Sequence, residues 1–272
     1  MSGSPDPLGA RDGRPDSPPC IEALETRGRA RPQRRLRRRF LRFVPVRPGD
    51  DVLEVGCGTG VIVRDLATMI GARGRVVGID RSPAIVSAAR LLARPHPHRS
   101  RMVLKVADGA RLPFRAGRFD VALAITVMLH APDPLTVVKE MARVVRPGGL
   151  VGLQDQDFGT MVVPHPDRRL TAKILDEVVE RVYPEPHSGR YLPGVLRDAG
   201  LDAVRVLTEV YQDTTLEPYT RTFLERRAEQ AVQFGIVSAS TARRWLDGLT
   251  ELVAGGVFLF TLNYYGAVGE RR

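Results

Sequence analysis

The chain has 272 residues and 43% hydrophobic content, enough for one sizeable α/β domain with a complete core. Its longest apolar run, Val121–Leu129, is strand-length and far short of the roughly 18–20 residues of a membrane span, which argues against a membrane protein. The net charge of +10 would suit a polyanion, but residues 1–40 alone hold ten arginines against five acidic residues, half of that surplus, and the rest is only mildly basic.

Residues 1–25 are rich in Pro, Gly, Ser and Asp, a composition that offsets little ordering entropy, so a disordered arm is expected there. They contain no apolar stretch of the kind a secretory signal needs. Leu36, Phe40, Leu41, Phe43 and Val44 form an apolar stripe at helical spacing and predict a helix packed on the domain. Its basic face carries no interleaved aromatic rings, which argues against nucleic acid as a partner. The two cysteines, Cys20 and Cys57, have neither disulfide-framework nor metal-ligand spacing, so a cytoplasmic protein without a metal site is expected.

From Asp51 onward short apolar runs alternate with helical stretches, the sign of βαβ units and a parallel sheet. Strands are predicted at Asp51–Val55, Arg75–Asp80, Met102–Val106, Phe119–Ile125 and Leu150–Asp155. Helices are predicted near residues 60–70, 83–90, 134–145 and 166–182, and Gly256–Val268 suits a final strand. Residues 31–272 are expected to form a single domain, with helical insertions at about 156–190 and 216–255 that supply lid and pocket material.

Chemistry concentrates in Asp51-Val-Leu-Glu-Val-Gly-Cys-Gly-Thr-Gly60. A buried strand ends in a carboxylate and then spends three glycines in five residues on a turn that brings a ligand close to the backbone. Val61 stands where a dinucleotide fingerprint wants its third glycine, so a pyrophosphate is disfavoured. Glu54 suits a cationic group, and Asp80, ending the second strand, can accept hydrogen bonds from both hydroxyls of a ribose. The implied ligand is a nucleoside with a positive tail and no phosphate.

Together with Asp80-Arg-Ser82, Val106–Phe114, Phe119–Leu123, His130-Ala-Pro-Asp-Pro134 and Val144–Gly149, taken in this order, the pattern resembles a class I S-adenosylmethionine-dependent methyltransferase of the small-molecule, ubiquinone-biosynthesis-like type. The resemblance implies a Rossmann-like α/β fold: a seven-stranded, mostly parallel sheet with the last strand antiparallel, helices on both faces and helical lid insertions. It implies S-adenosylmethionine as the methyl donor and a small organic acceptor, a biosynthetic or secondary metabolite, attacked by in-line displacement; a homodimer is left open. Glu54, Gly56, Cys57, Gly58 and Gly60 would face the methionine end, Asp80 the ribose, Arg81 the adenine face, and Asp108, Gly109 and Ala110 its amino edge, with Ile125 at the end of the fourth strand. Competing bland roles are an N-cap for Asp80, which Ser82-Pro83 makes unnecessary, a turn for Asp108 and simple filling of the loop for Cys57.

No triad, metal cluster or carboxylate pair stands out, in keeping with a reaction that proximity and orientation can accelerate. His130 matches a histidine common in this group, but Leu129 replaces the polar residue that often precedes it. Asp155, Asp157, His165, His187, Arg190 and Tyr191 are further base or anchor candidates, each with a capping or loop alternative. Two other functions share these motifs: an RNA or protein methyltransferase using the basic arm, and a cyclase or binding protein that retains the cofactor without methyl transfer.

Overall fold

The computed structural model describes residues 18–272. Seven strands form one sheet in the order β3-β2-β1-β4-β5-β7-β6. The parallel part comprises β1 (Asp51–Val55), β2 (Arg75–Asp80), β3 (Met102–Val106), β4 (Phe119–Ile125) and β5 (Val145–Val162). The strand β7 (Phe260–Arg271) lies antiparallel between β5 and β6 (Leu201–Asp213). Val52, Leu53, Ala122, Leu123, Val151 and Leu153 are fully buried, as central strands covered on both faces require. This order reverses direction between β1 and β4, and ligands in such sheets bind beyond the carboxyl ends of the strands at that switch point.

Helices α1 (Pro18–Arg29) and α2 (Arg31–Phe43) precede the sheet, and α3 (Val61–Met69), α4 (Pro83–Ala93) and α5 (Pro134–Val144) are the crossovers. Ser82 caps α4 by accepting from the Ile85 N–H at 3.1 Å, and Asp133 caps α5 through the Thr136 N–H at 3.0 Å. In α2 the apolar stripe of Leu36, Phe40 and Leu41 is buried, while Arg37 and Arg39 reach Asp65 at 2.5 Å and Glu209 at 2.7 Å. After β5 come α6 (Arg168–Val182) and α7 (Ser188–Asp198), and between β6 and β7 come α8 (Pro218–Gln233) and α9 (Ala239–Ala254). Helices α6, α8 and α9 share a second apolar core around the fully buried Trp245, whose indole N–H donates to Thr171 at 3.0 Å.

Two expectations need correction. Residues 18–25, expected within a disordered arm, are helical because Cys20 is buried and Glu25 finds partners on the domain; residues 1–17 of that arm lie outside the described residues. The fifth strand runs past Asp155 to Val162, and the stretch expected to begin a helical insertion at 156 is instead paired with β7 from Gln156↔Tyr264 to Val162↔Thr261. Pro147-Gly148-Gly149 falls inside β5, where a register shift between Phe119 and Val121 absorbs it.

Candidate functional site

The loop after β1 is built by left-handed glycines: Gly56, Gly58 and Gly60 have φ of +67°, +51° and +77°, a region that costs other residues strain. A Cβ on Gly56 would meet Val127 Cγ2 at 2.5 Å, and one on Gly109 would meet Val55 Cγ1 at 2.8 Å, so both turns need the bare backbone. The Cys57 N–H donates to the Ile79 carbonyl at 2.8 Å, and the Gly58 N–H to Asp80 Oδ2 at 3.0 Å. Asp80 Oδ1 accepts from the Ser82 N–H at 3.1 Å. Each Asp80 oxygen thus spends one lone pair on bracing and keeps acceptor capacity for a ligand.

Glu54 is 1% exposed and its Oε2 has no hydrogen-bond partner among the described residues. Burial pushes its pKa well above the carboxylate range, Asp65 and Asp80 add to this, and Arg37 opposes it. A buried acceptor left open beside a backbone cradle is complementary to an amino group. Burial also pushes the Cys57 thiol up, so Cys57 is a filler of the loop rather than a thiolate. Asp108 Oδ1 accepts from the Ala110 N–H at 2.9 Å, and the Asp108 carbonyl accepts from the Arg111 N–H at 3.2 Å. Ile125 closes β4 against the core, and Arg81 is exposed.

Helix α1 is strapped onto this loop. Glu25 accepts from Thr59 Oγ1 at 2.6 Å and from Arg64 at 2.9 and 3.0 Å. Leu24 lies 3.6 Å from where a Gly58 Cβ would be. One turn on, the Arg27 guanidinium donates to Thr126 Oγ1 at 2.6 Å. Thr126, at φ +60°, holds a left-handed conformation at the end of β4, the strained geometry that clusters at ligand sites. Burial works against the Arg27 charge, but Tyr264, Tyr219 and Asp155 outweigh it and hold the group firmly cationic. The cluster of Arg27, Thr126, Tyr219 and Tyr264 carries no local motif; only an arginine within an apolar-poor stretch announced it. Two surface recesses, at the β6–β7 ladder near Leu150 and between α8 and α9, are not lined by any of these groups.

The other candidates separate. Asp155 is fully buried; its Oδ2 accepts from the Leu129 N–H and its Oδ1 from the Gln156 N–H, both at 3.0 Å. Burial pushes its pKa up to about 7, against the opposing pull of those N–H groups, Ser188 and Arg27. His130 is pushed down to about 3 by burial, with Arg27, Arg81 and Arg227 acting the same way. So weak a base accepts protons poorly near neutrality, and the His130 ring lies 5.4 Å from that of Tyr183. Asp157 binds Arg190 at 2.5 and 2.8 Å and His187 at 3.2 Å, and His187 reaches Glu180 at 3.0 Å. These four tie α6 and α7 to β5. Tyr191 is 55% exposed and has no part in the buried cluster, and His165 lies under Trp245, with ring centroids 5.9 Å apart. No group of three or more metal-ligating side chains occurs among the described residues, and no described helix is long and apolar enough to cross a membrane.

Residues 53–153 match the methyltransferase domain family. A protein of Streptomyces fradiae described as an uncharacterized 37.1 kDa protein in a transposon is 30% identical over 94% of this chain and 72% of its own length. The nocamycin O-methyltransferase of Saccharothrix syringae is 36% identical over 54% of this chain and 51% of its own. The chain belongs to the class I S-adenosylmethionine-dependent methyltransferases. The match to the nocamycin enzyme spans about half of that relative. In fold the chain resembles the phosphoethanolamine N-methyltransferase 2 of Haemonchus contortus, with a TM-score of 0.62, 17% identity, all of this chain and 60% of that one covered.

For this methyltransferase the Gly56 turn is a direct target. Gly56→Ala places a methyl group against Val127 at a left-handed φ, and is expected to cost about 2 kcal/mol, or roughly 4–8 °C in Tm. Differential scanning calorimetry checks this, and an unchanged Tm would show that the loop can relax.

Proposed function

We propose that this methyltransferase moves a methyl group from S-adenosylmethionine to a small organic acceptor, a biosynthetic metabolite, and does so in the cytoplasm. The observation that carries the reading is Glu54: a buried carboxyl oxygen without a partner among the described residues, beside a loop of left-handed glycines and one strand away from a braced Asp80. That set suits the donor. Glu54 would take the amino group, Asp80 the ribose hydroxyls, Asp108 the adenine edge, and Arg27 the carboxylate of the methionine arm. The donor supplies an electrophilic methyl on a positively charged sulfur. The chain's own residues then position, dehydrate and deprotonate.

Helix α1 covers the loop and excludes water, which favours charge neutralisation during transfer. Asp155, pushed up to about 7 and within electrostatic reach of Arg27, is the group best matched to removing a proton from an acceptor near neutral pH. Two arginines of α2, Arg37 and Arg39, are paired with Asp65 and Glu209, which favours a small acceptor over a polyanion.

Calorimetry with S-adenosylhomocysteine tests the donor site. The unaltered protein is expected to bind it, and Arg27→Met to weaken binding about tenfold, the worth of one charge-assisted contact of about 1.4 kcal/mol. Absence of binding by the unaltered protein would overturn the reading.

A further inference from the structure

The helical layer contains a cation that the donor site does not use. Arg227, on α8, is 2% exposed. Its Nη1 donates to Gln230 Oε1 at 2.7 Å and its Nη2 to the Tyr183 hydroxyl at 2.5 Å, both neutral groups, while its buried Nε has no partner among the described residues. The guanidinium lies 4.8 Å from the ring centre of Phe223, 5.1 Å from Tyr183 and 5.6 Å from Phe158. It forms no ion pair with a carboxylate among the described residues.

A charge removed from water and left without a counter-charge costs several kcal/mol. Three ring faces and two neutral acceptors return only part of this. As a pure packing element, a side chain of similar length without charge would serve as well or better, so an anion that arrives with a ligand accounts for the arginine. The location fits an acceptor. Tyr183 stacks on Phe158 at 4.9 Å and also faces His130 at 5.4 Å, at the ends of β4 and β5. Helix α8 packs against α1, which carries Arg27. Arg227 and Arg27 both act on His130, so two cations look onto one region from different helices. If Arg27 takes the acid group of the donor, Arg227 is left for the acceptor.

We propose that Arg227 recognises a carboxylate on a flat, conjugated acceptor, and that this methyltransferase therefore acts on aromatic or enolic acids rather than on neutral or cationic molecules. The proposal rests on the methyltransferase reading and concerns its second substrate. Planarity follows from the aromatic walls of Phe158, Tyr183 and Phe223 around the guanidinium; acidity follows from the unmatched guanidinium, which can meet a carboxylate with two parallel N–H bonds.

The test uses the full chain saturated with S-adenosylhomocysteine and three matched probe pairs: benzoate and benzamide, 4-hydroxybenzoate and 4-hydroxybenzamide, 2-naphthoate and 2-naphthamide. Binding is read by calorimetry and by thermal shift. At least one acid is expected to bind ten times more tightly than its amide. In Arg227→Met that preference should disappear while S-adenosylhomocysteine affinity stays within twofold and Tm is no lower, since a buried unpaired charge has been replaced by an apolar chain of similar volume. Should Arg227→Met not fold, Arg227→Lys decides: a charge without the planar fork should keep a reduced preference, and loss of all preference would overturn the proposal. Three other results would also overturn it: no acid preferred over its amide in the unaltered protein, preference intact in Arg227→Met, or a tenfold loss of S-adenosylhomocysteine affinity in that variant, which would assign Arg227 to the donor. Failure of the donor to bind the unaltered protein would instead strike the methyltransferase reading itself.

Discussion

Asp80→Ala is expected to weaken S-adenosylhomocysteine binding about 100-fold. Two hydrogen bonds to a carboxylate, each worth roughly 1.5–3 kcal/mol, would be lost from the ribose, and a net loss of about 3 kcal/mol corresponds to that factor. The carboxylate is already fixed by the Gly58 and Ser82 N–H groups, so its ligand-facing lone pairs are oriented before binding, and the alanine variant loses this preorganisation as well. Asp80→Asn, which keeps one acceptor oxygen, should fall between the two. Titration calorimetry measures both. An affinity for Asp80→Ala within threefold of the unaltered protein would mean that Asp80 serves the loop and not the ligand.

Asp155 governs the second large effect, on stability against pH. Its pKa is about 7 in the folded protein against an ordinary 3.8, so between those values the native state retains a proton that the unfolded chain has released. Stability from this group is therefore complete below about pH 4 and is lost as pH rises through about 7, a change on the order of 4 kcal/mol. Other carboxylates slope the opposite way, so the informative quantity is the difference between the unaltered protein and Asp155→Asn. Urea denaturation at intervals from pH 4.5 to 8 should show that difference moving in favour of the variant as pH rises. A difference that stays constant would show that Asp155 is ionised throughout. The same ionisation predicts a rate that climbs through pH 7 if Asp155 takes the acceptor proton.

The donor half of the site was legible because its parts are local. A strand ending in Glu54, a turn needing left-handed backbone at Gly56, Gly58 and Gly60, and a second strand ending in Asp80 each leave a mark within a few residues, and the parallel sheet brings the marks together. Ser82 as the cap of α4 was readable for the same reason. The residues that complete the site were not. Arg27 lies between the stretch expected to be disordered and the first predicted helix, where no pattern marked it, and its place is set by burial of Cys20 and by Glu25 gripping Thr59 and Arg64, more than thirty positions away. Arg227 sits in an ordinary-looking helix, and its isolation is visible only once Phe158, Tyr183 and Phe223 have converged from three segments. His130 and His187 illustrate the reverse: residue type suggested chemistry, whereas burial near three arginines and capture by Asp157 and Glu180 determine what each can do.

The placement of β7 between β5 and β6 also fixes an order of events during synthesis. Until Phe260–Arg271 leaves the ribosome, β6 has no partner and β5 offers an open edge more than ten residues long. Both are templates for pairing with other chains. The nascent protein thus passes through a stage with two sticky borders, and it matures only when one late strand closes both at once.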